Sequence, residues 1–182
     1  MSPSWKESHG QLPATIDLIQ LAERGARLTG TLPLKGMPRL AQICADGSGN
    51  VFVDLTFERG EGEEVLLMHG MLHVRLRVTC QRCLEGMDLE LEASPWFILL
   101  RSGARQDMLE QEPDILVADK PVSLNALVED ELLLASPMVP MHEFSRCPAR
   151  TYMAGEAGFE PNNTEKGRKN PFSVLSKLKK AK

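Results

Sequence analysis

Apolar and polar residues alternate through VFVDLTFE, residues 51–58. Val51, Val53, Leu55 and Phe57 fall on one face; Phe52, Asp54, Thr56 and Glu58 fall on the other. A period of two predicts a strand with one buried face. GEGEE, residues 60–64, then marks a turn. The run VLLMHGMLHVRLRVT, residues 65–79, is again extended, with Val74, Leu76 and Val78 set against Arg75, Arg77 and Thr79. Beyond CQRCLEG, Met87, Leu89, Leu91 and Ala93 alternate with Asp88, Glu90 and Glu92. CQRCLEG is therefore the connection of a hairpin. WFILL (96–100) and DILVAD (114–119) read as short strands separated by a polar, mobile loop.

Helical spacing is confined to shorter stretches. TIDLIQLAER, residues 15–24, predicts a helix with Thr15 as N-cap, Asp17 in the first turn and Gly25 as the stop. GTLPLKGMPRL reads as a strand end followed by a turn. SLNALVEDELLLASP, residues 123–137, is the clearest helix. Ser123 caps it, Leu124, Leu127, Val128, Leu132 and Ala135 form its apolar face, and Pro137 follows its end. Glu129, Asp130 and Glu131 are consecutive, so they point about 100° apart and read as a solvated face. MVPMHEFSRCP is irregular. NPFSVLSKLKKAK closes the chain with Asn170 as cap, Pro171 at the first helical position, and an apolar stripe of Phe172, Leu175 and Leu178.

Strands come in succession and do not alternate with long helices. The expected fold class is α+β: a mainly antiparallel sheet, open to curling into a barrel, with a few packed helices and a flexible C-terminal tail. Residues 1–148 are expected to form one domain containing the CxxC hairpin. Residues 149–169, rich in Gly, Asn and charge, are expected to be a disordered linker, and 170–182 a short basic amphipathic helix.

Charge sharpens this division. Of 21 basic residues, seven lie in 166–182 with no acid among them; residues 1–165 hold 14 bases against 25 acids, a net of −11. An acidic body repels nucleic acid at long range, whereas the tail attracts it. No signal-peptide core or membrane-length apolar run is seen, so the expected compartment is the cytoplasm, where four cysteines do not form a disulfide framework.

Three readings of Cys80 and Cys83 stand side by side. In the first, the turn is a knuckle presenting two thiolates to one structural Zn2+, with His142 and Cys147 of HEFSRC completing a tetrahedral set. In the second, the pair runs redox chemistry; the residues that follow alternate as a strand, so a helix N-terminus is missing. In the third, the thiols pack. Cys44, between Ile43 and Ala45, reads as a core thiol, and His9, His69 and His73 have no cysteine nearby in sequence. No nucleophile elbow or phosphate loop occurs, and no catalytic residue is nominated. In the tail, Lys169, Lys177, Lys179 and Lys180 suit phosphates, while Phe172, Leu175 and Leu178 suit a protein groove.

VTCQRCLE, then ALVEDELLLASPMVPMH with Cys147 after it, then NPFSVLSKLKK occur together and in this order. This combination resembles the YceD family, the large ribosomal RNA subunit accumulation proteins. The resemblance implies a non-enzymatic role in making, processing or stabilising large-subunit ribosomal RNA. It also implies ribosomal precursor RNA, or ribosomal or assembly proteins, as partners, with no membrane and no small-molecule substrate. Many relatives carry a second cysteine cluster where this chain has His142 and Cys147; the resemblance thus supports Cys80 and Cys83 as half of a metal site, while His142 stands where a cysteine is often found and is itself an acceptable zinc ligand. The competing expectation is a zinc-stabilised interaction or regulatory module with no ribosomal RNA role.

Overall fold

The computed structural model describes residues 12–60, 65–102 and 114–154. The chain divides into two compact units, Met1–Glu143 and Phe144–Lys182.

The first unit is built on a six-stranded sheet. Strand β2 (Arg27–Pro33) pairs antiparallel with β3 (Asn50–Arg59), and β3 with β4 (Leu66–Thr79). The other edge of β4 is shared. Its first part meets β6 (Trp96–Leu100), from Leu66↔Leu99 to His69↔Trp96. Its second part meets β5 (Gly86–Ala93), from Leu72↔Ala93 to Thr79↔Gly86. Gly70 lies where the partner changes. A Cβ there would stand 2.1 Å from the Asp54 carbonyl oxygen, so no larger residue fits so close a backbone approach. Strand β7 (Asp114–Val117) joins β6 in parallel and ends the sheet.

The expected α+β class is the one observed. The barrel is not: among the described residues the sheet stays open, with β2 and β7 as its unpaired ends. Alternation did locate the core. Val51, Val53, Leu55 and Phe57 are all buried, as are Met68, Leu72, Val74, Leu76 and Val78 of β4. Each such side chain contributes roughly 1.5–3 kcal/mol of burial free energy.

Helix α1 (Leu18–Glu23) covers this face with Leu18, Ile19 and Ala22. It starts later than its apolar pattern suggests. Thr15 and Ile16 form a two-residue strand, β1, paired with β8 (Val122–Ser123), and Asp17 caps the helix by accepting from the Gln20 amide at 3.0 Å. Thr15 is therefore not the N-cap, because pairing with Ser123 holds it extended. Gly25, at φ 62°, does end the helix.

Helix α3 (Leu124–Ala135) is capped as expected by Ser123, which accepts from Ala126 N at 3.3 Å. Leu124, Val128 and Leu132 are buried and Leu127 is half-buried, but Ala135 is exposed. The main correction concerns Glu129, which is 4% exposed and not part of a solvated face. Its carboxylate accepts from the amides of Arg39 (2.6 Å) and Leu40 (3.0 Å) at the start of helix α2 (Pro38–Gln42). It also accepts from the Arg39 guanidinium, at 3.1 and 3.0 Å. The residue before α2, Met37, supplies no side-chain cap, so Glu129 serves from another helix. Asp130 meets the same guanidinium at 2.6 Å but stays exposed.

In the second unit a 3-10 turn, Phe144–Arg146, precedes Cys147, and helix α4 (Arg150–Ala154) follows. This helix falls inside the stretch expected to be a linker. The predicted terminal helix, 170–182, lies outside the described residues.

Replacing Glu129 with alanine removes the acceptor of two amides and leaves a guanidinium half-satisfied. We expect a loss of about 3 kcal/mol in urea unfolding. Asp130→Ala should change the midpoint little. Equal small effects would contradict the capping role.

Candidate metal centre

The CQRC turn begins where β4 ends. Cys80 N donates to Glu85 O at 2.9 Å, and Leu84 N donates back to Cys80 O at 2.9 Å. Residues 80–85 are thereby folded into a tight loop, and Leu84 takes a left-handed conformation, φ 64°. A non-glycine residue pays about 1 kcal/mol for that conformation. Leu84 is 74% exposed, so its side chain recovers little of this by burial.

The segment that follows α3 runs past this turn. Gln81 N donates to Pro140 O at 2.9 Å, and His142 N donates to the Cys80 sulfur at 3.3 Å. The Cys83 sulfur and His142 Nδ1 are 3.3 Å apart. The Arg82 guanidinium reaches the Met141 sulfur at 3.5 Å. Cys147 is held locally between two turns: its amide donates to Phe144 O at 3.4 Å and its carbonyl accepts from Arg150 N at 2.9 Å. One ligand atom from each of Cys80, Cys83, His142 and Cys147 lies within 4.8 Å of every other.

This donor set fits a tetrahedral ion. Three thiols and one imidazole are standard structural zinc ligands, and the edges of such a tetrahedron measure about 3.3–3.8 Å. Cys80 and Cys147 are buried, while Cys83 and His142 are half-buried. All four ligands come from the protein, which leaves no open position of the kind catalysis at zinc requires.

Thiolate character is already favoured at Cys80. Burial pushes its pKa up, but hydrogen bonds from the amides of Cys83, His142 and Arg82 outweigh it, together with the Cys83 side chain. The result is about 5. A helix N-terminus is absent, as the alternation of 87–93 indicated; the amides of the turn and of the crossing segment replace it. Cys44 behaves differently. It is half-buried beside the core, its thiol donates to Leu40 O at 3.3 Å, and burial, reinforced by Asp46, raises its pKa. It takes no part in the cluster.

Of the other nominated residues, His69 pairs with Glu58 at 3.1 Å, and His73 lies opposite Phe52 and Glu92 in the sheet. His9 and the tail residues Lys169, Phe172, Leu175, Lys177, Leu178, Lys179 and Lys180 lie outside the described residues. What residue-level reading missed is the backbone contribution of Pro140 and the amide of His142. The irregular, proline-bounded setting of HEFSRC was the only signal for either.

Comparison with known proteins defines the class. Residues 68–179 match the family described as "Large ribosomal RNA subunit accumulation protein YceD". Large ribosomal RNA subunit accumulation protein YceD of Haemophilus influenzae is 31% identical over 172 residues, spanning 93% of this chain and 97% of the relative. The chain belongs to the YceD family. No solved structure matches it. Among the described residues, no helix is long and apolar enough to cross a membrane.

In metal-free protein, Cys80 loses its proton near pH 5 when folded but only near pH 9, the ordinary thiol value, when unfolded. The unfolded chain therefore binds more protons between these values, and stability rises with pH across that window and is lost as pH falls through 5. Unfolding midpoints measured from pH 5 to pH 9 should show this rise, and Cys80→Ser should flatten it. An unchanged slope in the variant would count against the thiolate.

Proposed function

We propose that this protein is a non-enzymatic, cytoplasmic ribosome-biogenesis factor. It promotes the synthesis, processing or stability of large-subunit ribosomal RNA by binding protein, RNA or both. Family membership across nearly the whole chain carries this reading. Cys80, Cys83, His142 and Cys147 hold one structural Zn2+, whose part is to fix the segment after α3 against the β4–β5 hairpin. A fully protein-ligated ion supports a shape-keeping role over catalysis.

A second reading, an interaction module with no ribosomal RNA role, draws on one surface. In the last turn of α3 Leu134 is 81% exposed, and in the segment that follows Met138 is 99% and Val139 53% exposed. Exposed methionine beside aliphatic residues is characteristic of adaptable protein-binding surfaces.

Two measurements test these statements. In cells depleted of the protein, large-subunit RNA should fall relative to small-subunit RNA, and the wild-type gene should restore it. A normal ratio on depletion would defeat the first reading and favour the second. Protein purified without a histidine tag should contain about one zinc per chain. Cys147→Ser or His142→Ala should release it and lower the melting temperature by at least about 5 °C. Metal-free protein with an unchanged melting curve would exclude the ion.

A further inference from the structure

Helices α1 and α3 bury their apolar residues on the core side of the sheet. The opposite face carries Phe52, Asp54, Thr56 and Glu58 of β3 beside His69, Met71, His73, Arg75 and Arg77 of β4. At one end of this face is a shallow cavity of about 290 Å³, lined by Glu58, Leu67, His69 and Trp96. Strand register explains the grouping: Glu58 is opposite Leu67, and His69 is opposite Trp96. Trp96 is 55% exposed, unusual for the largest apolar side chain in a folded domain.

We propose that this cavity takes a lysine or arginine side chain of a basic polypeptide partner. Trp96 offers the aromatic face that attracts cations best, and Leu67 an apolar wall for the aliphatic stem. Glu58, its side chain 51% exposed, supplies the negative charge. His69 Nε2, 3.1 Å from Glu58 Oε1, orients that carboxylate at the cavity wall.

The wider charge pattern chooses a basic polypeptide over a nucleic acid. Arginines of the same face are committed to carboxylates: Arg27 to Asp54 at 2.7 Å, Arg77 to Asp88 at 3.2 Å, and Arg75 to Glu90. They neither repel an incoming cation nor offer free charge to phosphates. The six-residue connection from β3 to β4, GEGEEV, contains three glutamates and no base, and residues 1–165 carry a net −11. The inference rests on the reading that this chain acts by binding, and it names the partner's chemical class.

The test uses the full chain with Trp5→Phe, which leaves Trp96 as its only tryptophan. Titration with a six-arginine peptide should change Trp96 emission saturably, and added salt should weaken the effect. Glu58→Gln should weaken binding about tenfold, and calorimetry on Trp96→Leu should show a similar loss, with the melting curve unchanged in both. Asp46→Asn, an exposed acid elsewhere, should bind as the parent does. An unaltered emission, equal affinity in Glu58→Gln and parent, or tighter binding of oligouridine than of the peptide would overturn the proposal. Any of these would do so whatever the ribosomal RNA ratio in depleted cells, so the two claims fail separately.

Discussion

Strand β4 outruns its neighbour. It has 14 residues against the 10 of β3, and their pairing stops at Phe52↔His73. Beyond that point, among the described residues, the β3-side edge of β4 is met by an isolated bridge, Cys44↔Val78, with Ala45 N donating to Arg77 O at 2.6 Å. A projecting strand end needs its polar backbone satisfied and its apolar side covered. Cys44 and Ala45 meet this edge, and the residues after α3 reach the CQRC turn just beyond it, where Pro140 O accepts from Gln81 N and His142 N donates to the Cys80 sulfur. The four candidate ligands collect at the turn that follows this strand end.

This origin explains the chemistry of the cluster. Amides that close the turn and cover it also point at the Cys80 sulfur and stabilise its anion. Thiolates held close together repel one another unless a cation lies between them, so the geometry that finishes the fold also prepares a metal site. The turn carries its own local cost in the left-handed Leu84. A zinc ion held by residues as far apart in sequence as Cys80 and Cys147 would close a long loop, which is where a cross-link removes most unfolded-chain entropy.

Much of this was legible in the sequence, for physical reasons. Alternation on both sides of CQRCLEG requires a hairpin, because only a turn keeps both apolar sets on one face. Val51 to Phe57 reported their buried face directly. Glu129 was not legible: helical geometry says that three consecutive acids diverge, but not which one turns inward. Its partners lie 89 and 90 residues away, at the uncapped start of α2. Thr15 resembled a cap because its pairing with Ser123 is a contact between distant parts of the chain. The barrel was not excluded by strand patterns, since closure depends on how strand ends meet. His142 and Cys147 were found as candidates by residue type, whereas their convergence on the hairpin depends on the path of the crossing segment.

The central claim is that Cys80, Cys83, His142 and Cys147 form one tetrahedral metal shell. X-ray absorption at the zinc edge on natively purified protein tests it most directly. The account predicts three sulfur neighbours at about 2.3 Å and one nitrogen at about 2.0 Å. A shell dominated by oxygen, or one that keeps three sulfurs when Cys147 is replaced by serine, would contradict it.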